Sequence, residues 1–305
     1  MTPDILTMKR LVLGTAQLGM RYGISNRTGK PDPDTAASII RTAWDAGVRA
    51  FDTAQAYGDS EHVLGDVLRS LEIRDEARIV SKFHPDVDHL SRDAMEGALE
   101  ATLSDVGIST LCGMMLHREE SLDLWNVGLG EILAGFVRSG RVRRLGVSVY
   151  SPARAVQALE TDGITIVQVP ANIFDRRFER AGIFDLAEEK GKTIYVRSVF
   201  LQGLFFLPPD SLPRYLKAAA SPLAILAALS RETGLGTPEI CIGYIKNSLP
   251  RARLVFGAES PAQIRRNIAC WNTAWPGGLT EEIRRAFDGI GETILDPHRW
   301  GRGAA

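Results

Sequence analysis

Four side chains able to take part in proton transfer stand at the ends of three short apolar segments of the chain. Asp52 and Tyr57, five residues apart, follow the first segment, Lys82 ends the second and His117 follows the third. Such segments are typical of buried parallel strands, and parallel strands of a barrel deliver their C-terminal residues to one shared end. We therefore expect the four side chains to converge.

An acid, a phenol, a lysine and a histidine at one site are suited to the reduction of a carbonyl group. The pKa of a free tyrosine is about 10, too high for ready proton donation, and a neighbouring ammonium group lowers it. We expect Lys82 to do this for Tyr57, with Asp52 keeping Lys82 charged and oriented. His117 beside the phenol is placed to hydrogen-bond a carbonyl oxygen and align it for reaction.

The rest of the chain alternates short apolar segments with longer amphipathic ones. Helical spacing of apolar residues predicts a helix from Thr35 to Ala46, capped by Asp34, and another from Ser91 to Leu103. Ser151 and Pro152 predict a third helix start, as a capping residue followed by proline. Eight segments have the composition of buried strands: Arg10 to Gly14, Val48 to Asp52, Ile79 to Lys82, Thr110 to Leu116, Leu145 to Val149, Ile164 to Val169, Thr193 to Val196 and Leu254 to Gly257.

Eight strand–helix units without a dividing linker favour an α/β fold that is a single (β/α)₈ TIM barrel over residues 1–305. Long loops are expected at Arg21 to Pro33, after the seventh strand at Gln202 to Pro222, and in the C-terminal segment after Ala269. A doubly wound nucleotide-binding fold is disfavoured, because Gly14 to Gly19 does not form the GxGxxG pattern.

Composition narrows the class of protein. With 305 residues, 45% hydrophobic residues and a formal net charge of -1, the chain is expected to be globular and to bind neither nucleic acid nor membrane. Its three cysteines lack metal-site spacing, no metal site is indicated, and no export signal is evident, so a cytoplasmic protein is expected. The partner expected is a small-molecule carbonyl compound, and no pattern indicates the oligomeric state.

In its order of motifs the chain resembles the aldo-keto reductase family, and bacterial members most of all. The resemblance covers nearly the whole chain, and its landmarks are Leu13 to Gly19, Phe51 to Ala54 with Tyr57-Gly58, Ser81-Lys82, Leu116 to Arg118, Gly146 to Ser148, Gln168 with Asn172, and Gly257 to Asn267. The family implies a (β/α)₈ barrel with NADPH extended over the barrel mouth and hydride transfer from the nicotinamide. It also implies that Tyr57 is the general acid, that Lys82 and Asp52 tune it, and that His117 orients the carbonyl.

The resemblance also implies a set of cofactor-binding residues. Ser148 and Gln168 match the positions that hold the carboxamide, and Gly257, Gln263 and Asn267 match the adenosine end. The full set expected to bind the cofactor is Gly14, Thr15, Asp52, Ser148, Gln168, Arg197, Ser198, Gly257, Gln263, Arg266 and Asn267.

The chain departs from the family pattern at two places that bear on the cofactor and substrate. Arg197 stands where a tyrosine usually stacks on the nicotinamide, and a planar guanidinium is able to stack in its place. Its charge makes substrates with a carboxylate or phosphate plausible. Gly257 and Gln263 replace the usual clasp of the 2′-phosphate, so either Arg265 or Arg266 supplies that contact or both cofactors are accepted. NADPH is expected, with NADH as the alternative.

Two other functions stay open. One is a redox-sensing or regulatory subunit that binds NADPH with low turnover. The other is a barrel hydrolase or isomerase, but such an enzyme would need a second carboxylate or a metal cluster, and the sequence shows no clear carboxylate partner for Asp52. Tyr22 and Phe83 are further pocket candidates, as are Trp271 and Trp275, for which plain packing is the alternative. Surface or capping roles are expected for four histidines, which are His62, His84, His89 and His298.

Overall fold

Eight parallel strands close into a barrel in the computed structural model, which describes residues 8–300. Each strand pairs with the next along the chain, and Leu11 to Leu13 of the first strand pair with Leu254 to Phe256 of the last. The strands are β1 Leu11–Gly14, β2 Ala50–Asp52, β3 Arg78–Lys82, β4 Gly113–Leu116, β5 Leu145–Ser148, β6 Ile164–Pro170, β7 Thr193–Arg197 and β8 Arg253–Phe256. The predicted (β/α)₈ fold is confirmed.

Helices surround the barrel and alternate with its strands. They are α1 Ala16–Gly19, α2 Pro33–Asp45, α3 Ser60–Ser70, α4 Arg92–Val106, α5 Leu129–Arg138, α6 Pro152–Glu160, α7 Arg177–Arg180, α8 Ile183–Glu189, α9 Ala220–Thr233, α10 Thr237–Ser248, α11 Pro261–Trp271, α12 Leu279–Ala286 and α13 Glu292–Leu295. Within residues 8–300, no helix is long and apolar enough to cross a bilayer.

Local sequence explains most helix starts, with one correction. Ser91 caps α4 by accepting from the amide of Ala94, and Ser151 caps α6, as predicted. The cap of α2 is Asp32 rather than the predicted Asp34, because Asp32 accepts from the Thr35 amide at 2.7 Å. Asp32 also stands directly before a proline at the first helical position, which is the arrangement that favours a helix start.

The strand predictions are confirmed, with small shifts at the ends. The largest is in β4, which begins at Gly113 rather than Thr110, because Leu111 forms only an isolated bridge with Val142. The predicted loop after β7 contains three 3₁₀ segments before α9. The C-terminal segment is less irregular than expected, since it contains α12 and α13.

The strands place their residues alternately inside and outside the barrel. The inside is filled by a small apolar cluster, separate from the larger core between strands and helices, whose buried members are Val12, Ala50, Val80, Met115, Ile166, Tyr195 and Val255. Because side chains on a strand alternate with a period of two, the next inward position on each strand lies two residues further on. Those positions are Gly14, Asp52, Lys82, His117, Gln168, Arg197 and Gly257, and together with Ser148 we call them the polar layer.

Candidate active site

The floor of the site is a buried ion pair between β2 and β3. The Lys82 ammonium donates to Asp52 Oδ1 at 2.6 Å and to the Thr53 carbonyl at 2.9 Å. Gln168 of β6 donates from Nε2 to the other Asp52 oxygen at 2.7 Å. Lys82 and Asp52 are 0% and 3% exposed, so both charges depend on these partners rather than on water.

Tyr57 lies directly above this pair. The Lys82 ammonium is 5.0 Å from the centre of the phenol ring, and the His117 ring meets the phenol edge-on with centroids 5.6 Å apart. The four residues predicted to converge are therefore neighbours. Tyr57 and His117 reach the cavity, whereas Lys82 lies beneath its wall.

The loop that carries Tyr57 is fixed by a close backbone contact. A side chain at Gly19 would collide with the Tyr57 carbonyl, and one at Gly58 would collide with the Gly19 carbonyl. Gly58 also has a φ of +61°, which glycine adopts without strain. The Ser60 hydroxyl bonds to Thr15 and Thr53, so the start of α3 is tied to β1 and β2.

The electrostatics of the phenol differ from the expectation. Burial and the negative charge of Asp52 raise the pKa of Tyr57 far above its ordinary value, opposed chiefly by Arg197. The predicted net lowering is wrong, because burial and the Asp52 charge outweigh the effect of the neighbouring cations. The phenol therefore stays protonated, and its raised pKa makes it a weaker acid than a free tyrosine.

His117 is a neutral imidazole in this environment. Burial, followed by the positive charges of Lys82 and Arg197, lowers its pKa to about 3. Its Nδ1 is buried and has no hydrogen-bond partner within the described chain. A neutral imidazole carries one N–H and is able to donate a hydrogen bond without adding charge.

Two adjoining cavities open at this end of the barrel. The larger, about 480 Å³, runs from β2 past β7 to α11, and the smaller, about 130 Å³, lies over Tyr57 and His117. The larger one is lined by most of the predicted cofactor residues, namely Gly14, Thr15, Asp52, Gln168, Arg197, Ser198, Gly257, Gln263, Arg266 and Asn267. Ser148 lines the smaller one. All the predicted cofactor residues are therefore brought to one connected space.

Polar atoms without partners face this space. Gln168 Oε1 and Arg197 Nε are buried and have no hydrogen-bond partner in the described part of the chain. The unused Gln168 oxygen is an acceptor of the kind that a carboxamide N–H needs. The residues present thus fit an elongated ligand with a carboxamide end, as the predicted nicotinamide cofactor has. Thr15 differs, since its hydroxyl is already bonded to Ser60 and to the Asp52 carbonyl.

The far end of the larger cavity carries an acid that the sequence reasoning missed. Glu259 lines it beside Gln263 and Arg266, and burial raises the pKa of its carboxyl. Arg266 lies 3.9 Å from the buried carboxylate of Glu239. Glu259 directly follows the Gly257-Ala258 turn after β8, and that position is the signal by which it could have been found.

Of the four other residues suggested as pocket candidates, one lines the cavities and three do not. Tyr22 lines both cavities, as expected. Phe83 and Trp271 are fully buried in the outer core, and Trp271 packs under the guanidinium of Arg10. Trp275 lies against Gly243 away from both cavities. The pocket role suggested for Phe83 and the two tryptophans is therefore wrong, because their side chains pack between helices and strands.

Two further residues of the small cavity were not predicted. Tyr150, which follows β5, contacts the His298 ring at a centroid distance of 5.1 Å. His298 is exposed, as expected, and with Leu295, Asp296 and Pro297 it also lines the small cavity. The same expectation fails for His89, which is only 6% exposed.

Fold and site together define a barrel oxidoreductase with its polar residues at the C-terminal ends of the strands. The chain belongs to the Aldo/keto reductase family, whose family model matches residues 10–284. It is 23% identical over 278 residues to an L-glyceraldehyde 3-phosphate reductase of Escherichia coli (strain K12), covering 78% of this chain and 79% of that one.

Two further relatives span nearly the full length. An NADH-specific methylglyoxal reductase of Escherichia coli (strain K12) is 24% identical over 306 residues, covering 89% of this chain and 92% of the relative. The solved structure of a glycerol dehydrogenase from Gluconobacter oxydans superposes with a TM-score of 0.70 at 22% identity, covering 94% and 93% of the two chains. That structural likeness concerns the fold.

Proposed function

We propose that the protein reduces an aldehyde or ketone to an alcohol with a nicotinamide cofactor, and that Tyr57 is the general acid. The observation that carries this proposal is the position of the Tyr57 phenol between His117 and the Lys82–Asp52 pair at the cavity floor. A phenol beside a positive charge is suited to give its proton to a carbonyl oxygen that becomes negative, because the ammonium stabilises the phenolate left behind.

Each neighbouring residue has a role in this proposal. His117 donates a hydrogen bond from its neutral ring to the carbonyl oxygen and orients the carbonyl toward Tyr57. Lys82 stabilises the phenolate that remains after proton transfer, and Asp52 keeps Lys82 charged and in place. The cofactor, when bound, supplies the hydride that adds to the carbonyl carbon.

The cofactor would occupy the larger cavity. Ser148 and Gln168 would hold its carboxamide, with the unpaired Gln168 Oε1 as acceptor. Arg197 and Ser198 would line its middle, and Gly257, Gln263, Arg266 and Asn267 its adenosine end. The expected NADPH remains a prediction. Glu259 counts in favour of NADH, because a carboxylate repels a 2′-phosphate but accepts hydrogen bonds from a free ribose hydroxyl.

The comparisons support the reaction type. One relative is named a reductase of L-glyceraldehyde 3-phosphate and another an NADH-specific methylglyoxal reductase, so both act on small carbonyl compounds and one on a phosphate ester. We also propose that the chain is one domain, since strands from its beginning, middle and end close the same barrel.

Replacing the hydroxyl of Tyr57 tests the proposal. Oxidation of NADPH and of NADH should be followed by absorbance with a panel of short aldehydes, aldoses and keto acids. We expect Tyr57→Phe to lower kcat by roughly 10²- to 10⁴-fold, the scale of a lost general acid, with cofactor binding unchanged.

Near-normal turnover by Tyr57→Phe would remove Tyr57 from the mechanism. Tight cofactor binding by the wild type without turnover of any carbonyl compound would instead favour the redox-sensing or regulatory alternative. Cofactor affinity should therefore be measured for both proteins by quenching of tryptophan fluorescence.

A further inference from the structure

Arg197 is a cation without an anionic partner inside the small cavity. Its guanidinium lies 4.3 Å over the ring of Tyr150, and its bonds are long, at 3.3 Å to the Ser198 hydroxyl and 3.5 Å to the Val149 carbonyl. Its Nε is buried without a partner, and no carboxylate forms an ion pair with it among residues 8–300. The guanidinium therefore retains unused donors.

The other cations around this cavity are compensated. Lys82 is paired with Asp52 at 2.6 Å, and Arg177 makes a two-pronged pair with Asp175 at 2.9 and 2.8 Å. Asp296, the acid among the described residues that line this cavity, bonds to Arg299 at 3.2 Å.

His117 adds no charge, because its pKa is lowered to about 3, with Arg197 among the causes. Among the described lysine and arginine side chains around the small cavity, Arg197 is therefore the one without an ion-pair partner.

The guanidinium is also held in place before any ligand arrives. Glu119 accepts from the backbone amides of Tyr150 and Ser151 at 2.6 and 3.1 Å, which fixes the turn that carries the Tyr150 ring. That ring supports Arg197 from one side. A guanidinium fixed in this way loses little conformational freedom on binding, and its planar fork matches the two oxygens of a carboxylate or phosphate.

We propose that Arg197 binds an oxyanionic group, a carboxylate or a phosphate, on the carbonyl substrate of this enzyme. The inference rests on the proposed reductase function and adds the substrate class to it. The small cavity, about 130 Å³, places Arg197 within the same walls as Tyr57 and His117, so a short substrate reaches both ends. Its carbonyl lies at Tyr57 while its anionic group lies at Arg197.

Matched substrates that differ only in the charged group test this. The pairs are succinic semialdehyde with methyl 4-oxobutanoate, and glyceraldehyde 3-phosphate with glyceraldehyde. We expect the wild type to prefer the anionic member of at least one pair by about 10- to 100-fold in kcat/KM, the scale of a charge-assisted hydrogen bond.

Two variants separate charge from shape. Arg197→Met should bring the ratio of the two kcat/KM values close to one, and any effect of the substitution on cofactor binding is common to both substrates and cancels in that ratio. Arg197→Lys should retain part of the preference because it keeps the charge but loses the fork. A wild type without preference, or a preference unchanged in Arg197→Met, would overturn the inference. Weaker cofactor binding in Arg197→Met with an unchanged preference would assign Arg197 to the cofactor instead.

A binding measurement keeps this test separate from the proposed function. Calorimetric titration of 4-hydroxybutyrate and of its methyl ester, in the presence of oxidised cofactor, does not depend on turnover. Charge-dependent binding that is lost in Arg197→Met supports the anion site even if reduction fails. If the protein reduces the substrates but neither rate nor binding depends on the charged group, the proposed reductase function is supported and the proposed anion site is rejected.

Discussion

Lys82 and Arg197 are both cations close to Tyr57, yet their surroundings are opposite. Lys82 is fully buried and bonded to the Asp52 carboxylate and to a backbone carbonyl. Arg197 is half-buried, rests on an aromatic ring and has no carboxylate partner among residues 8–300. A compensated charge shapes the site without attracting a ligand. An uncompensated charge in a low-dielectric cavity attracts one, because little else neutralises it.

The same contrast extends along the polar layer. Asp52, Lys82 and Gln168, which come from β2, β3 and β6, form a hydrogen-bonded network across the barrel. Arg197 and, at the far end of the larger cavity, Glu259 instead line the cavities without an ion-pair partner in the described part of the chain. In the proposed mechanism, the network serves the reaction of every substrate, whereas Arg197 and Glu259 select the ligands.

Breaking the Lys82–Asp52 ion pair should have the largest effect on stability and activity. Lys82→Met leaves the Asp52 carboxylate buried without its ammonium partner, and we expect this to lower the free energy of unfolding by about 3–5 kcal/mol as well as abolishing most turnover. Urea unfolding followed by circular dichroism measures the first effect.

The matched control removes both charges. In the double variant Asp52→Asn with Lys82→Met, no buried charge is stranded and Gln168 retains an oxygen to bond, so most of the lost stability should return while activity stays low. Equal stability of the single and double variants would show that the stranded charge is not what destabilises the protein.

A smaller effect should come from Glu61, whose carboxylate is bonded to Ser81, the residue before Lys82 on β3. Its carboxylate accepts from the hydroxyls of Ser81 and Thr102, and burial raises its pKa to about 7. An acid whose pKa is raised in the folded state contributes its full stability below about pH 4.5, and that contribution is lost as the pH rises through 7. As the pH rises from 5 to 8, the free energy of unfolding of Glu61→Gln should therefore increase relative to that of the wild type by up to roughly 3 kcal/mol.

The measurement for Glu61 is the difference between the two urea midpoints as a function of pH. A difference that does not change with pH would mean that Glu61 ionises normally, with Lys82 or water compensating its charge. Comparing the proteins at each pH cancels the titration of His117 and other groups common to both.

The smallest expected effect is on cofactor preference and concerns Glu259, at the far end of the larger cavity. If Glu259 selects against a 2′-phosphate, Glu259→Gln should shift the ratio of NADPH to NADH affinity toward NADPH by about tenfold, the scale of one lost repulsion near the protein surface. Fluorescence titration with each cofactor measures this ratio. A ratio unchanged by the substitution would place the adenosine ribose away from Glu259.

The polar layer could be predicted from the sequence because strand alternation determines it. Once β2, β3, β4 and β7 are located, Asp52, Lys82, His117 and Arg197 must be the inward residues at their ends. Tyr57 lies beyond its strand, but it is close enough in sequence that the short loop can only turn it back over the barrel.

Other parts of the site could not be predicted in this way. Tyr150 and His298 come from a loop and from the C-terminal segment, where no periodicity relates sequence to position. The sequence also does not show which charged residues form ion pairs. Arg177 pairs with Asp175, whereas Arg197 has no acidic partner among the described residues. The direction of the Tyr57 pKa shift depends first on the burial of its ring and then on the Asp52 charge, and neither could be weighed from the sequence.

The contact between Gly19 and Gly58 has a consequence for altering this enzyme by design. This close backbone approach, together with the Ser60 hydroxyl bonds to Thr15 and Thr53, holds the Tyr57 loop against the β1 end of the barrel. The segments that wall the small cavity elsewhere, at Tyr150, Arg197 and Leu295 to His298, are not part of that attachment. New substrate preferences can therefore be sought by randomising those three segments while Tyr57 keeps its position, and libraries should leave both glycines unchanged.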